Sequence, residues 1–247
     1  MQAYIGALVP HYNEGNTKNI CLQVYFSGCN FRCGYCHVPE FLTFDEKHLI
    51  DLKEVKQELR LHHNVITSVM FTGGEPCLQK DAVLQLAQFA KMLAMTILLD
   101  TNGSRPDVLF ALLENELVDV VYLDMKTPSY PDLFEKVTHT KTFFVTPESL
   151  LLNIQQSITH LIEFRDTVDV VVVTPIIPQL LYRKEDLFAI AAQIQTFASR
   201  WILRRFRNDK LVVDKSLQKL KEPTYDFVEM LRDSIIKKYP RLVVEVE

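Results

Sequence analysis

Six short apolar runs, rich in β-branched residues and mostly without polar alternation, mark the chain: Ile20–Phe26, Ile66–Thr72, Met95–Thr101, Val118–Asp124, Val168–Thr174 and Trp201–Phe206. Continuous runs of this length suit strands of a parallel sheet covered on one or both faces. Helical patterns lie between them. Asp51 and Glu54 form a capping-box pair that opens Leu52–Leu61, with Leu52, Val55 and Leu59 on one face. Val83, Leu86, Ala87 and Ala90 give the next helix its apolar stripe, Pro106 and Pro147 suit first helical turns, and Lys184–Ala198 supplies a later helix. Six strand–helix units predict an α/β fold. Past Arg207 the pattern predicts a helix over Pro223–Tyr239 and a short strand over Leu242–Val246. No linker, repeat or low-complexity stretch divides the chain. The expectation is a single domain over 1–247, with a core over about 18–206 and an extension over about 207–247.

Composition narrows the classes. The 247 residues are 48% hydrophobic and 23% charged, an ordinary globular mixture. The net charge of −4 and the lack of a long basic tract argue against nucleic acid as a partner. No apolar run reaches about 18 residues, so no membrane span is expected. With seven glycines there is no Gly-x-Gly-x-x-Gly or Walker pattern, which sets aside Rossmann dehydrogenases and P-loop nucleotide-binding proteins. Five cysteines, sparse and odd in number, argue against a disulfide framework and for the reducing cytoplasm.

Three of those cysteines are concentrated in Gly28-Cys29-Asn30-Phe31-Arg32-Cys33-Gly34-Tyr35-Cys36-His37, directly after the first apolar run. Thiolates are the usual ligands of iron–sulfur clusters and also hold structural zinc, and a closed structural site takes four protein ligands. Three thiols with no nearby fourth point to a metal centre with one open position. The spacings of three and then two intervening residues require a tightly curled loop, in which Gly34 offers backbone freedom. Structural zinc lacks a second ligand pair here, since Cys21 and Cys77 stand alone. Cys33-Gly34-Tyr35-Cys36-His37 also fits the pattern of c-type haem attachment, but Met1–Gly6 has neither the basic region nor the apolar core of an export signal.

A second motif, Thr72-Gly73-Gly74-Glu75-Pro76, ends the second run. Paired glycines let a ligand approach the backbone, and the carboxylate suits a cationic amine; an ordinary turn is the plainer reading. Asp100-Thr101-Asn102-Gly103 and Asp124-Met125-Lys126 end the third and fourth strands, where a barrel's active site lies. An Asx turn and a surface ion pair are the plainer readings of these two.

Taken together, the cysteine loop, with Tyr35 in the aromatic slot before the last cysteine, and the Gly-Gly-Glu-Pro segment resemble the radical S-adenosylmethionine (SAM) superfamily. The resemblance implies an open (β/α)6 partial TIM barrel. It implies a 4Fe-4S cluster on Cys29, Cys33 and Cys36, whose fourth iron is chelated by the methionine moiety of SAM. It further implies that Tyr35 lies near the adenine and that Gly73, Gly74 and Glu75 hold the amino group. Asp-Thr-Asn-Gly and Asp-x-Lys are similar to segments of the activating enzymes of glycyl-radical proteins. Matched by residue, Lys126 meets the cofactor carboxylate, Asn102 joins the cofactor-binding set, and Asp100, Thr101, Asp124 and the Tyr122 backbone form a monovalent-cation site.

Tyr35-Cys36-His37-Val38-Pro39-Glu40 resembles activators of anaerobic ribonucleotide reductase and pyruvate formate-lyase, and Leu203–Arg207 with Leu217–Pro223 resembles archaeal-type reductase activators. Val38, the segment His11–Gly15, and Val168–Pro178, which lacks an arginine, depart from that pattern. The implied activity is oxidoreductase chemistry: reductive cleavage of SAM to a 5′-deoxyadenosyl radical and hydrogen abstraction from a glycine of a partner, anaerobic ribonucleotide reductase foremost. Flavodoxin or ferredoxin would supply the electron. The alternatives are a small-molecule radical SAM enzyme resembling 7-carboxy-7-deazaguanine synthase, and a non-enzymatic iron–sulfur electron-transfer module.

Overall fold

The computed structural model describes residues 1–12, 20–208 and 212–247. The chain forms two compact units, one of Met1–Asn30, Glu40–Thr101 and Arg105–Val121, the other of Phe31–Pro39, Asn102–Ser104 and Tyr122–Glu247.

The first unit holds β1 (Gln2–Tyr12), β2 (Ile20–Phe26), β3 (Leu49–Asp51), α1 (Leu52–His62), β4 (Ile66–Gly73), α2 (Lys80–Met92), β5 (Thr96–Thr101) and α3 (Pro106–Glu114). Its strands run in the order β3-β1-β2-β4-β5. β1 is antiparallel to both its neighbours, while β2, β4 and β5 pair in parallel. The parallel register aligns Val24 with Phe71 and Leu99, and Leu22 with Val69 and Ile97. All six side chains are buried; two residues apart on each strand, they share one face of the sheet, while Gln23, Met70 and Leu98 between them are only partly buried. The predicted box at α1 is present: the Asp51 side chain accepts from the helix's first turn and Glu54 accepts from Asp51 N. Leu52, Val55 and Leu59 are buried on α1, and Val83, Leu86, Ala87 and Ala90 on α2.

β6 (Val120–Asp124) carries the chain out of the first unit. The second unit continues with α4 (Pro131–Thr138), α5 (Pro147–Glu163), β7 (Asp169–Ile176), α6 (Lys184–Ile194), β8 (Arg200–Arg205), α7 (Tyr225–Lys238) and β9 (Val244–Val246). β7, β8 and β9 are parallel, aligning Val172 with Trp201 and Val244. The indole of Trp201 is fully buried and donates to Thr174 Oγ1 at 2.9 Å, and that hydroxyl donates on to Met125 O at 2.8 Å. A buried polar group of this kind is tolerated because each donor finds an acceptor.

The α/β class and the mainly parallel pairing agree with expectation. β1, β3 and α4 were not predicted. The N-terminal strand carries Gly6 and Pro10 and shows no clean alternation, so its strand character comes from pairing on both edges. Among the described residues no helix is long and apolar enough to cross a membrane. The divergent segment His11–Gly15 lies largely outside the described residues.

Candidate cluster and cofactor site

In the first unit, the end of β2 and the turn after β4 are joined by backbone hydrogen bonds. Gly74 N donates to Phe26 O at 2.8 Å and Glu75 N to Gly28 O at 2.9 Å, while Gly28 N and Cys29 N donate to Phe41 O and Leu42 O at 2.9 and 3.0 Å. Gly73 sits at a φ of +106°, a region L side chains rarely adopt. A Cβ on Gly74 would lie 2.4 Å from Gly28 O and 2.7 Å from Phe41 O. The paired glycines therefore serve a close backbone approach within the protein.

Glu75 is fully buried, and its Oε1 accepts from Cys77 N at 3.0 Å and Thr101 Oγ1 at 2.8 Å. This carboxylate caps the short 3-10 turn Pro76–Leu78, a use for Glu75 that the spacing alone does not reveal. Asp100 Oδ2 accepts from Thr72 Oγ1 at 2.8 Å. The structure thus brings Glu75 together with Thr101, and Asp100 with Thr72. Cys77 lies against Thr101 and Glu75; burial and the Glu75 carboxylate push its thiol pKa well above the usual value.

Gln79, which no sequence signal singled out, holds this region. Its Oε1 accepts from Tyr4 N at 2.8 Å, and its Nε2 donates to Tyr4 O and Ser27 O, each at 3.0 Å. Ser27 and His48 form a buried pair, Oγ to Nδ1, at 2.7 Å. A long-range amide clamp of this sort has no local sequence pattern.

In the second unit, the cysteine loop from Phe31 to Pro39 is gripped by α4. The rings of Phe31 and Phe134 meet edge to face at 5.5 Å, and Arg32 N donates to Thr138 O at 2.8 Å. Cys36 N closes a turn onto Cys33 O at 3.1 Å. Gly34, expected to supply backbone freedom to the loop, is not among the glycines at positive φ. Its missing Cβ matters instead because Asp214 and Leu217 pack against it.

Lys126 makes an ion pair with Asp124 and lies 5.8 Å from the centre of the Tyr35 ring. The pair is no surface pair, since the Lys126 side chain is only 12% exposed. Burial pulls the ammonium's pKa down, but Asp124, then Tyr35 and Cys33, outweigh it and hold the pKa well above the usual lysine value. Burial raises the Cys33 thiol, and the Lys126 charge opposes that rise. The Tyr35 hydroxyl is buried with the Cys33 thiol as its polar neighbour, and its pKa is pushed well up by burial and by Cys33. Asn102 closes an Asx turn, its Oδ1 accepting from Ser104 N at 3.0 Å, and Ser157 Oγ donates to Gly103 O. That plainer reading of Asn102 is present in the structure.

None of the five cysteines forms a disulfide. Among the described residues no three His, Cys, Asp or Glu side chains are gathered as ligands of a single ion. A cubane cluster puts each thiolate on a different iron, so its ligands stand further apart than those of one ion. In the second unit Cys33 and Cys36 are unbridged and the Lys126 ammonium lies close to Cys33, and thiolate donors of this kind suit an iron–sulfur cluster.

A family model described as the Radical SAM superfamily matches residues 24–180, more than half of the chain. A protein of Methanocaldococcus jannaschii named "Putative glycyl-radical enzyme activating enzyme" is 32% identical over 126 residues, 51% of this chain and 51% of the relative. A 7-carboxy-7-deazaguanine synthase of Methanopyrus kandleri is 36% identical over 126 residues, 43% of this chain and 49% of the relative. The chain spans about half the length of these curated relatives. The crystal structure of a radical SAM methyltransferase from Sphaerobacter thermophilus superposes with a TM-score of 0.66 at 12% identity, covering 97% of this chain and 68% of that one, which shows a shared fold. Membership implies a 4Fe-4S cluster and SAM as the working cofactors. On the family match across its cysteine loop and the strands that follow, the chain belongs to the radical SAM superfamily.

Proposed function

We propose that this protein activates a glycyl-radical enzyme, anaerobic ribonucleotide reductase foremost, by removing a hydrogen atom from a glycine of that partner. When bound, the reduced cluster and SAM supply a 5′-deoxyadenosyl radical, the hydrogen-abstracting species. In this reading Cys29, Cys33 and Cys36 hold the cluster. The Gly73-Gly74-Glu75 turn, tied to the Cys29-bearing strand end by Gly74 N and Glu75 N, fixes the backbone that receives the methionine amine. Glu75 Oε1 is already engaged, so the turn's role is to orient its backbone as much as to present a charge. Lys126 meets the cofactor carboxylate, and its raised pKa keeps it cationic across the physiological range. Tyr35 lies beside the adenine. Asp100, Thr101, Asp124 and the Tyr122 backbone form a monovalent-cation site, with Asn102 shaping the adjoining turn.

The observation that carries this reading is the conjunction of Asp100-Thr101-Asn102-Gly103 with Asp124-Met125-Lys126, supported by the similarity to the M. jannaschii protein. It implies a flavodoxin or ferredoxin as one-electron donor and a reducing cytoplasm. A second reading, ring chemistry on a small molecule, draws on the similarity to 7-carboxy-7-deazaguanine synthase.

The test is the fate of the hydrogen. Reduced, reconstituted protein incubated with SAM and the reductase should give a doublet EPR signal on the partner, because the remaining α-hydrogen splits a glycyl radical. Deuterium at that α-carbon should appear in 5′-deoxyadenosine. SAM cleavage driven by a small molecule, with neither doublet nor label transfer, would favour the second reading.

A further inference from the structure

The extension after β8, beyond the residues that the family model matches, makes a contact with the cysteine turn. Val212 to Leu220 packs on the cysteine turn: Asp214 N donates to Gly34 O at 2.9 Å. A Cβ on Gly34 would lie 3.0 Å from Asp214 Cβ and 3.3 Å from Leu217 Cδ1. Gly34 lies between Cys33 and Cys36, so the extension rests on the backbone that carries two of the three cysteines.

This segment is built to hold its shape. Asp214 Oδ1 accepts from Ser216 N and Ser216 Oγ, both at 2.7 Å, an Asx turn that opens the 3-10 turn Leu217–Lys219. Gln218 N donates to Asp214 O at 3.1 Å and Gln218 Nε2 to Val212 O at 2.6 Å. Val212 and Leu217 are buried. Beyond the segment, Asn208 Nδ2 donates to Leu220 O at 2.8 Å and Asn208 N to Glu222 Oε1 at 3.0 Å, drawing its flanks together.

We infer that Val212–Leu220 is a fixed cover on the Cys33–Cys36 turn, in which Asp214 and Leu217 act as positioning residues that hold the turn and limit solvent access to the cluster. Gly34 is the matching feature on the turn, since it does not sit at positive φ and a Cβ there would press on Asp214 and Leu217, which would have to give by a few tenths of an ångström. The inference rests on the assignment of the cluster to Cys29, Cys33 and Cys36.

Two rates test it: anaerobic iron loss from the reconstituted protein to excess chelator, and maleimide labelling of Cys33 and Cys36 in metal-free protein. Asp214→Ala removes the Asx turn and should raise both rates about fivefold, the scale of one lost side-chain cap. Asp214→Asn keeps the acceptor and should stay close to the wild type, which ties the effect to the turn's hydrogen bonds and not to the charge. Gly34→Ala leaves the turn's φ allowed but presses the cover outward by a few tenths of an ångström, and should raise both rates in the same direction as Asp214→Ala. Wild-type rates in both Asp214→Ala and Gly34→Ala would overturn the cover. A wild-type protein that takes up no iron would instead sink the cluster assignment, and the labelling rates would still decide the cover.

Discussion

Replacing Gln79 by alanine removes one side chain and three hydrogen bonds, and their cost can be apportioned. Tyr4 O retains the hydrogen bond from Ser27 N at 2.8 Å, so it stays satisfied. Tyr4 N–H loses its acceptor and Ser27 O loses a donor. An orphaned buried donor costs about 1–3 kcal/mol and an ordinary hydrogen bond about 0.5–1.5 kcal/mol, and these groups are only partly buried, so about 2–3 kcal/mol is expected. In a chain of this size that lowers Tm by about 4–12 °C. Urea unfolding of the reduced protein measures the loss. Hydrogen exchange at Gly28 and Cys29 should quicken, because the same strand end leads into the first cysteine. Gln79→Glu is the sharper variant: it keeps an acceptor for Tyr4 N but turns a carboxylate oxygen toward two carbonyls. Its folded-state pKa would be raised, so its penalty is largest at neutral pH and shrinks as pH falls toward about 4. A loss below about 0.5 kcal/mol for Gln79→Ala, or a Gln79→Glu protein as stable as wild type at pH 7, would refute the clamp.

Two further outcomes follow from the site. Lys126→Ala should weaken SAM binding by roughly ten- to a hundredfold, the scale of a lost charge-assisted hydrogen bond of about 1.5–3 kcal/mol, while cluster assembly survives; equilibrium titration of the reconstituted protein checks this, and an unchanged affinity removes Lys126 from the cofactor. Cys77, with its thiol pKa raised by burial and by Glu75, stays protonated in the fold while the unfolded thiol ionises above about pH 8.5. Unfolding then releases a proton, so stability declines as pH rises past that value, and Cys77→Ala should show a shallower decline between about pH 8 and 10; identical slopes would show that the buried thiol does not contribute.

Much of the fold is local and was legible. Val24, Phe71 and Leu99 sit in mainly apolar runs rich in β-branched residues, and such runs suit parallel strands with a buried face. The box at Asp51 and Glu54 and the prolines at Pro106 and Pro147 mark helix starts through groups a few residues apart. Pro131 carries the same signal for α4, which is short enough for its stripe to be overlooked. The cysteine loop was legible for a related reason, since ligand spacing along a tight loop is written in consecutive residues.

What the sequence determined by itself is therefore whatever depends on neighbours in the chain: the strand–helix alternation, the three-cysteine loop and the polar strand ends. The tertiary structure alone decided the rest. It made Gln2–Tyr12 a strand by giving it partners on both edges, and it engaged the Glu75 carboxylate with Thr101 Oγ1, 26 positions away. It joined Gln79 to Tyr4, 75 positions away, and it set Asp214 against Gly34. The physical reason is common to all four. A buried donor, acceptor or close backbone approach must be satisfied by whatever the fold brings next to it, and no periodicity along the chain encodes which distant residue that will be.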